Sequence, residues 1–152
     1  MIGLRGCGVL CWLGLVAYLV DPNSMRWAAL GLPAWARLTG VPIGAVGAVW
    51  TLWTLRTLGP NLTDTVAVRP NATLVTKGPY RWVRHPFYLG VAALVTAMSL
   101  LASNGFLVVG SIAVLTLLSI RTRVEEARLV DRFGDAYRDY AARTGRFWPR
   151  RA

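Results

Sequence analysis

The chain has little of what metal-binding and nucleotide-binding proteins are built from. It holds one histidine, two cysteines and a single lysine, Lys77, in 152 residues. Zinc and haem sites draw on clustered His, Cys and carboxylate side chains, and one histidine with two distant cysteines assembles no such metal site. Cys7 and Cys11 sit four apart on one helix, so they share a face but are poorly placed to bridge; they read as packing residues. No Gly-rich nucleotide-phosphate fingerprint occurs, and no internal repeat. Acidic residues number only seven. Charge of either sign is missing from long runs: residues 1–20 carry Arg5 alone, residues 38–55 carry none, and residues 86–120 carry none.

What is present is apolar, with 55% hydrophobic residues and a positive mean hydropathy. A membrane-spanning helix takes about 20 mostly apolar residues. Residues 1–20 and 38–55 each predict one span. Residues 86–120, broken only by Ser103-Asn104-Gly105, predict a tight hairpin of two more, because that tripeptide is a turn signal. The expected fold class is therefore all-α, a polytopic membrane protein of about four transmembrane helices. Its length suits a single domain over residues 1–152. No small-x-small cleavage site precedes Asp21-Pro22, so the first run reads as a retained anchor rather than a signal peptide. Residues 21–37, with Arg26, Pro33 and their tryptophans, predict an interfacial or re-entrant piece rather than a fifth span.

The net charge of +10 would suit a nucleic-acid binder, but its distribution excludes that partner. With the N-terminus inside, the cytoplasmic segments collect Arg5, then Arg56, Arg69, Lys77, Arg81 and Arg84, then every arginine from Arg121 onward. The outer loop keeps only Arg26 and Arg37. This is the positive-inside asymmetry: both termini are expected in the cytoplasm, with basic side chains meeting anionic membrane lipids. Arginine outnumbers lysine sixteen to one, the usage of a GC-rich bacterial genome, which points to a bacterial cytoplasmic membrane.

The polar residues gather at the threshold of the longest apolar run, in "VTKGPYRWVRHPFYLG", residues 75–90. Pro60, Pro70 and Pro79, with Gly59 and Gly78, forbid a long helix across residues 56–86. Pro86 suits the first turn of the next helix. His85 then sits at the cap, and the free N–H groups of that turn suit an anion such as a carboxylate. A plainer reading has Lys77, Arg81 and Arg84 snorkelling to head groups, while Tyr80, Trp82 and Tyr88 form an aromatic belt. After the fourth run comes "SIRTRVEEARLVDRFGDAYRDYAARTGRFWP", with Glu125 and Glu126 adjacent. If the helix continues past Ile120, Arg121 and Glu125 lie one turn apart on one face. The hairpin returns them to the membrane side of His85. Alone, that pair would be an ordinary surface ion pair. Val130, Phe133, Tyr137 and Tyr140 recur at helical spacing, which predicts a C-terminal amphipathic cytoplasmic helix lying on the membrane.

Two blocks, "LVTKGPYRWVRHPFYLG" and, beyond a charge-free hairpin, "RTRVEE...FGDAYRDY...P", resemble the isoprenylcysteine carboxyl methyltransferase family. More loosely they resemble the membrane phospholipid methyltransferases. The likeness runs from about residue 61 to residue 149. It implies a multi-pass enzyme using S-adenosyl-L-methionine, with a lipophilic small-molecule or lipid substrate. Carried over by position, Thr73, Leu74, Val75, Tyr80, His85, Pro86, Phe87 and Tyr88 would contact the cofactor. Glu125, with Glu126 beside it, would hold the cofactor's ammonium, and Arg121 would orient the methyl acceptor. Many relatives carry histidine where this chain has Ala72, so the contacts of that loop differ in detail. Carboxyl O-methylation leads among the acceptors; a phenolic lipid and a phospholipid amine stay open. A carboxylate acceptor needs only a cation to place it. A phenol or amine needs deprotonation, for which His85 alone has a near-neutral intrinsic pKa. A non-catalytic lipid-binding protein on the same fold is the alternative from another class; a reductase sharing the helical scaffold, which would bind NADPH, fits less well because no nucleotide-phosphate fingerprint occurs.

Overall fold

The computed structural model describes residues 2–61 and 73–150, without the side chains of residues 2–5, 7 and 60. Ala72, Arg69 and Arg151 lie outside the described residues, as does the side chain of Cys7. Six α-helices follow one another among the described residues: α1 (Ile2–Val20), α2 (Ala34–Leu38), α3 (Gly40–Leu58), α4 (Pro86–Ala102), α5 (Gly105–Phe133) and α6 (Asp135–Arg143). Among the described residues there is no strand beyond two isolated bridges, so the all-α expectation holds. Two compact units form: Met1–Ala48 with Val91–Leu118, and Val49–Gly90 with Ser119–Ala152.

Among the described residues two segments are long and apolar enough to cross a membrane, Ala34–Leu58 and Gly105–Phe133, and only 17% of each apolar stretch is buried. Gly8–Val20 and Pro86–Ala102 are apolar but shorter. Length and composition thus support two spans among the described residues and leave the expected count of four unconfirmed. The second run also starts earlier and ends later than residues 38–55, because Pro33 caps α2 and Gly59, at φ +52°, ends α3.

In the first unit the helices approach closely through small residues. A Cβ on Gly47 would lie 2.8 Å from that of Ala93, and one on Gly40 would lie 2.7 Å from the Ala97 carbonyl oxygen. Gly110 faces Cys11 in the same way, in keeping with a packing role for that cysteine. Without such glycines α3 could not lie this near α4.

Residues 21–37 pack on the turn between α4 and α5. Pro22–Ala28 forms a 3-10 turn, capped where the Asp21 carboxylate accepts the Asn23 N–H at 2.9 Å. Asn104, 1% exposed, accepts the Phe106 N–H at 3.0 Å and donates to the Met25 carbonyl at 3.0 Å. The Leu30 N–H reaches the Ser103 carbonyl at 2.8 Å, and the Leu32 N–H reaches the Ser103 hydroxyl at 2.9 Å. Arg37 donates through two nitrogens to the Leu101 carbonyl, satisfying an orphan acceptor at the end of α4.

In the second unit, α5 runs unbroken from the apolar stretch through Arg121 and Glu125 to Phe133. Gly134, at φ +54°, then turns the chain into α6. The expected C-terminal amphipathic helix is thus α6, but the stripe from Val130 is split by the glycine, and Tyr137 and Tyr140 are buried in the protein. The Tyr140 hydroxyl donates to the Tyr80 carbonyl at 2.6 Å.

Asn104 joins three segments of the first unit, so its loss is the sharpest test of this packing. Asn104→Leu strands a buried carbonyl and a helix-start N–H, at a cost of about 1–3 kcal/mol. Thermal unfolding in detergent should show a clear fall for Asn104→Leu and a smaller one for Asn104→Asp, which retains the cap. Unchanged melting of the leucine variant would contradict the assignment.

Candidate functional site

Tyr80, His85, Tyr88, Arg121 and Glu125 lie in the second unit, where the start of α4 meets the polar half of α5. Arg121 and Glu125 lie one turn apart on α5, as their spacing requires. Glu125 accepts a hydrogen bond from the Tyr88 hydroxyl at 2.8 Å. Arg121 makes no ion pair with Glu125 among the described residues, and its Nε is buried without a hydrogen-bond partner. A surface ion pair is therefore not what these two residues form. Thr54 Oγ1 and the Tyr137 hydroxyl are the other buried side-chain atoms without partners among the described residues; Arg121 alone of the three carries charge.

Glu126 points elsewhere. Its Oε1 accepts from Arg84 Nε at 2.9 Å, Arg146 Nε at 3.2 Å and lies 3.1 Å from His85 Nε2, while Oε2 accepts from Arg146 at 2.5 Å. The four side chains tie the α4 entrance, α5 and the C-terminal segment into one network. Backbone bonds reinforce it: the Arg84 N–H donates to the Gly145 carbonyl at 2.9 Å and the His85 N–H to that of Arg146 at 3.1 Å. Arg84 also donates to the Ala141 and Thr144 carbonyls at the end of α6, where a cation complements the helix dipole. The hydrogen bond to Glu126 holds the Arg146 guanidinium above its ordinary pKa.

His85 is 5% exposed and its ring stacks on Tyr88, with centroids 5.5 Å apart and planes 3° from parallel. Pro86 opens α4 and is buried, with Phe87 half-buried beside it and tilted 60° to the Tyr88 ring. The Pro86 carbonyl accepts the Trp50 indole N–H at 2.8 Å. Tyr80 is half-buried on a 3-10 turn, Gly78–Arg81; burial, and after it the Glu125 carboxylate, push its phenol above the ordinary tyrosine range. Burial likewise pushes Tyr140 up to about 12. Thr73 is exposed, its N–H held by the Asn61 side chain at 2.9 Å, and Leu74 and Val75 follow half-buried. The structure thus brings Tyr80, His85, Tyr88 and Glu125 into one electrostatic neighbourhood. Around Thr73 the hydrogen bonds run to Asn61.

Sequence reasoning missed two roles. Arg84, expected to snorkel, is turned inward. Arg146 bears no periodic relation to Glu126, so no helix-face argument reaches it. Trp82, expected in an aromatic belt, instead stacks on Trp50 and meets Trp53 edge-on at 5.5 Å, with the Arg81 guanidinium 4.2 Å over its ring.

Glu126→Gln leaves Arg84, itself 11% exposed, without its counter-charge. Removing one partner of such a buried pair costs about 3–5 kcal/mol. Asp135→Asn breaks the Arg138–Asp135 pair, whose side chains are 62% and 89% exposed, and should change almost nothing. Denaturant unfolding of both variants checks the contrast; equal stabilities would remove Glu126 from its structural role.

Comparison with known proteins bears on the family and the fold. The chain is 31% identical over 124 residues to protein-S-isoprenylcysteine O-methyltransferase of Mus musculus, covering 80% of this chain and 44% of that protein. The Homo sapiens protein of the same name is 29% identical over the same coverage. The chain therefore spans less than half the length of these relatives. A solved structure of a eukaryotic intramembrane Ras methyltransferase, isoprenylcysteine carboxyl methyltransferase, shares the fold with a TM-score of 0.71 at 24% identity, covering 93% of this chain and 50% of that one. With its long apolar helices, the chain is an integral membrane protein. A sequence model of the isoprenylcysteine carboxyl methyltransferase family matches residues 41–131, more than half of the chain, and the protein belongs to that family.

Proposed function

We propose that the chain is a single-domain membrane methyltransferase, over residues 1–152, that uses S-adenosyl-L-methionine to methylate the carboxylate of a lipophilic, isoprenylcysteine-type acceptor. The observation that carries this reading is the Arg121 Nε, buried and unpartnered one turn from a Glu125 carboxylate anchored by Tyr88. One cation and one anion are thereby displayed on one helix face. That set fits a zwitterionic, cationic cofactor together with an anionic acceptor.

S-adenosyl-L-methionine, when bound, supplies an electrophilic methyl group on a sulfonium. Glu125 holds the cofactor's ammonium, supported by the half-buried aromatic surface of Tyr80, Phe87 and Tyr88. Thr73, Leu74 and Val75, with the His85–Pro86 entrance to α4, complete the cofactor's side of the site. Arg121 places the acceptor carboxylate. Displacement at a methyl group is in-line, so alignment supplies much of the rate, and shelter from water strengthens the charges that impose it. An ionised carboxylate needs no general base. His85, whose Nε2 faces Glu126, leaves this site with a cation to offer the acceptor rather than a base. This geometry favours a carboxylate over a phenol or an amine.

The topology belongs to the same reading. Four spans, two of them the shorter α1 and α4, place both termini and the site at the cytosolic face of a bacterial cytoplasmic membrane. A lipid acceptor then enters between helices while the cofactor arrives from the cytosol.

The test compares Glu125→Gln and Arg121→Lys with wild type, using radiolabelled S-adenosyl-L-methionine and counting label extracted with lipid. Glu125→Gln should weaken cofactor binding by roughly 2–5 kcal/mol, the cost of losing a buried charge-assisted contact. Arg121→Lys should keep cofactor binding and lose turnover by on the order of 100-fold, because lysine lacks the planar fork that fixes an oxyanion's direction. Wild-type turnover in the lysine variant would overturn the acceptor role, and unchanged affinity in Glu125→Gln the cofactor role.

A further inference from the structure

We infer that Arg146, in the C-terminal segment, is a positioning residue for the cofactor site, acting through Glu126, His85 and Tyr88; this rests on the cofactor reading of Glu125. The family match ends at residue 131, before α6 begins, so nothing in it assigns a role to this arginine.

The connection can be followed atom by atom. Arg146 grips Glu126 with two nitrogens, Nε on Oε1 at 3.2 Å and a terminal nitrogen on Oε2 at 2.5 Å. A two-point grip fixes the plane of the carboxylate as well as its place. The carboxylate so oriented holds His85 Nε2 at 3.1 Å. The His85 ring lies 3° from parallel with that of Tyr88, and the ring of Phe147, next to Arg146, lies 5.9 Å from the His85 ring and tilted to it. The Tyr88 hydroxyl donates to Glu125 at 2.8 Å. Rotation of the Glu126 carboxylate therefore tilts the imidazole, slides the stacked phenol and moves the proton that Glu125 accepts.

Two features distinguish this from mere anchoring. Arg84 is 11% exposed and already supplies Glu126 with a buried counter-charge, so neutralisation does not require Arg146. Arg146 is the more open partner, at 37% side-chain exposure, and supplies the second point of attachment. The main chain repeats the connection, because the His85 N–H bonds the Arg146 carbonyl at 3.1 Å. The C-terminal segment thus sets the angle of His85 from both ends of the residue.

The chain's one histidine makes the test direct, since histidine-labelled protein gives a single imidazole signal. Wild type, Arg146→Gln and Arg146→Lys are compared in detergent by the ring resonances, by melting temperature and by calorimetric titration with S-adenosyl-L-methionine. Arg146→Gln should move the ring resonances and raise the cofactor Kd by about tenfold, the scale of a modest misplacement. Arg146→Lys, which keeps charge but not the fork, should fall between. A purely structural role would lower melting and leave both the ring signal and the Kd of the folded protein as in wild type, overturning the inference. A ring shift without loss of affinity, or loss of affinity without a ring shift, also overturns it. Should Arg146→Gln fail to fold, the lysine variant is read by the same two quantities. Wild type that binds no cofactor refutes the cofactor reading itself and this role with it; binding by wild type that Arg146→Gln leaves untouched refutes the role of Arg146 alone.

Discussion

A carboxylate largely removed from water must be matched by charge and by directed donors, or it is lost to protonation or unfolding. Glu126 meets that requirement with Arg84, Arg146 and His85. Arg84 and His85 stand side by side before α4 and Arg146 follows α6, so satisfying one acid on the extension of α5 draws both segments to it. The second unit is organised around this charge. The Tyr88–Glu125 contact and the buried, unpartnered Nε of Arg121 follow from where that network sets the start of α4 against α5.

The first unit obeys a different constraint. Its helices leave large apolar side chains exposed, among them Leu10, Trp12, Val46, Val109 and Ile112. In water such surface would drive association; in lipid it costs nothing. Packing there comes from close approach at Gly40, Gly44 and Gly47 against Ala93 and Ala97, with polar contacts at the Ser103–Asn104 turn, between the Ser99 and Ser111 hydroxyls and from Arg37 to the Leu101 carbonyl. Helices that hydrogen-bond their own backbones and meet through small residues suit a solvent without water.

Much of this was legible in the sequence because it depended on local signals. Charge-free runs gave the helices, Ser103-Asn104-Gly105 gave the hairpin, and the four-residue spacing of Arg121 and Glu125 gave their shared face. Pro86 at the head of α4 was visible as a first-turn proline. What was not legible depended on distant partners. The stripe from Val130 to Tyr140 has helical spacing, yet Gly134 breaks it, and the tyrosines face Tyr80 and the protein interior. Arg84 and Arg146 looked like members of a basic surface, because periodicity says nothing of a bond between residues 84 and 126 or 126 and 146. The fate of Trp82 was hidden likewise, since a belt tryptophan and one stacked on Trp50 read alike.

The central claim is that the neighbourhood of Glu125, Tyr88 and Arg121 receives S-adenosyl-L-methionine. Calorimetric titration of the purified wild-type protein with this cofactor, and separately with NADPH, tests it most directly. The account predicts saturable binding of one S-adenosyl-L-methionine per chain and none of NADPH; no heat with S-adenosyl-L-methionine, or binding of NADPH in its place, would contradict it.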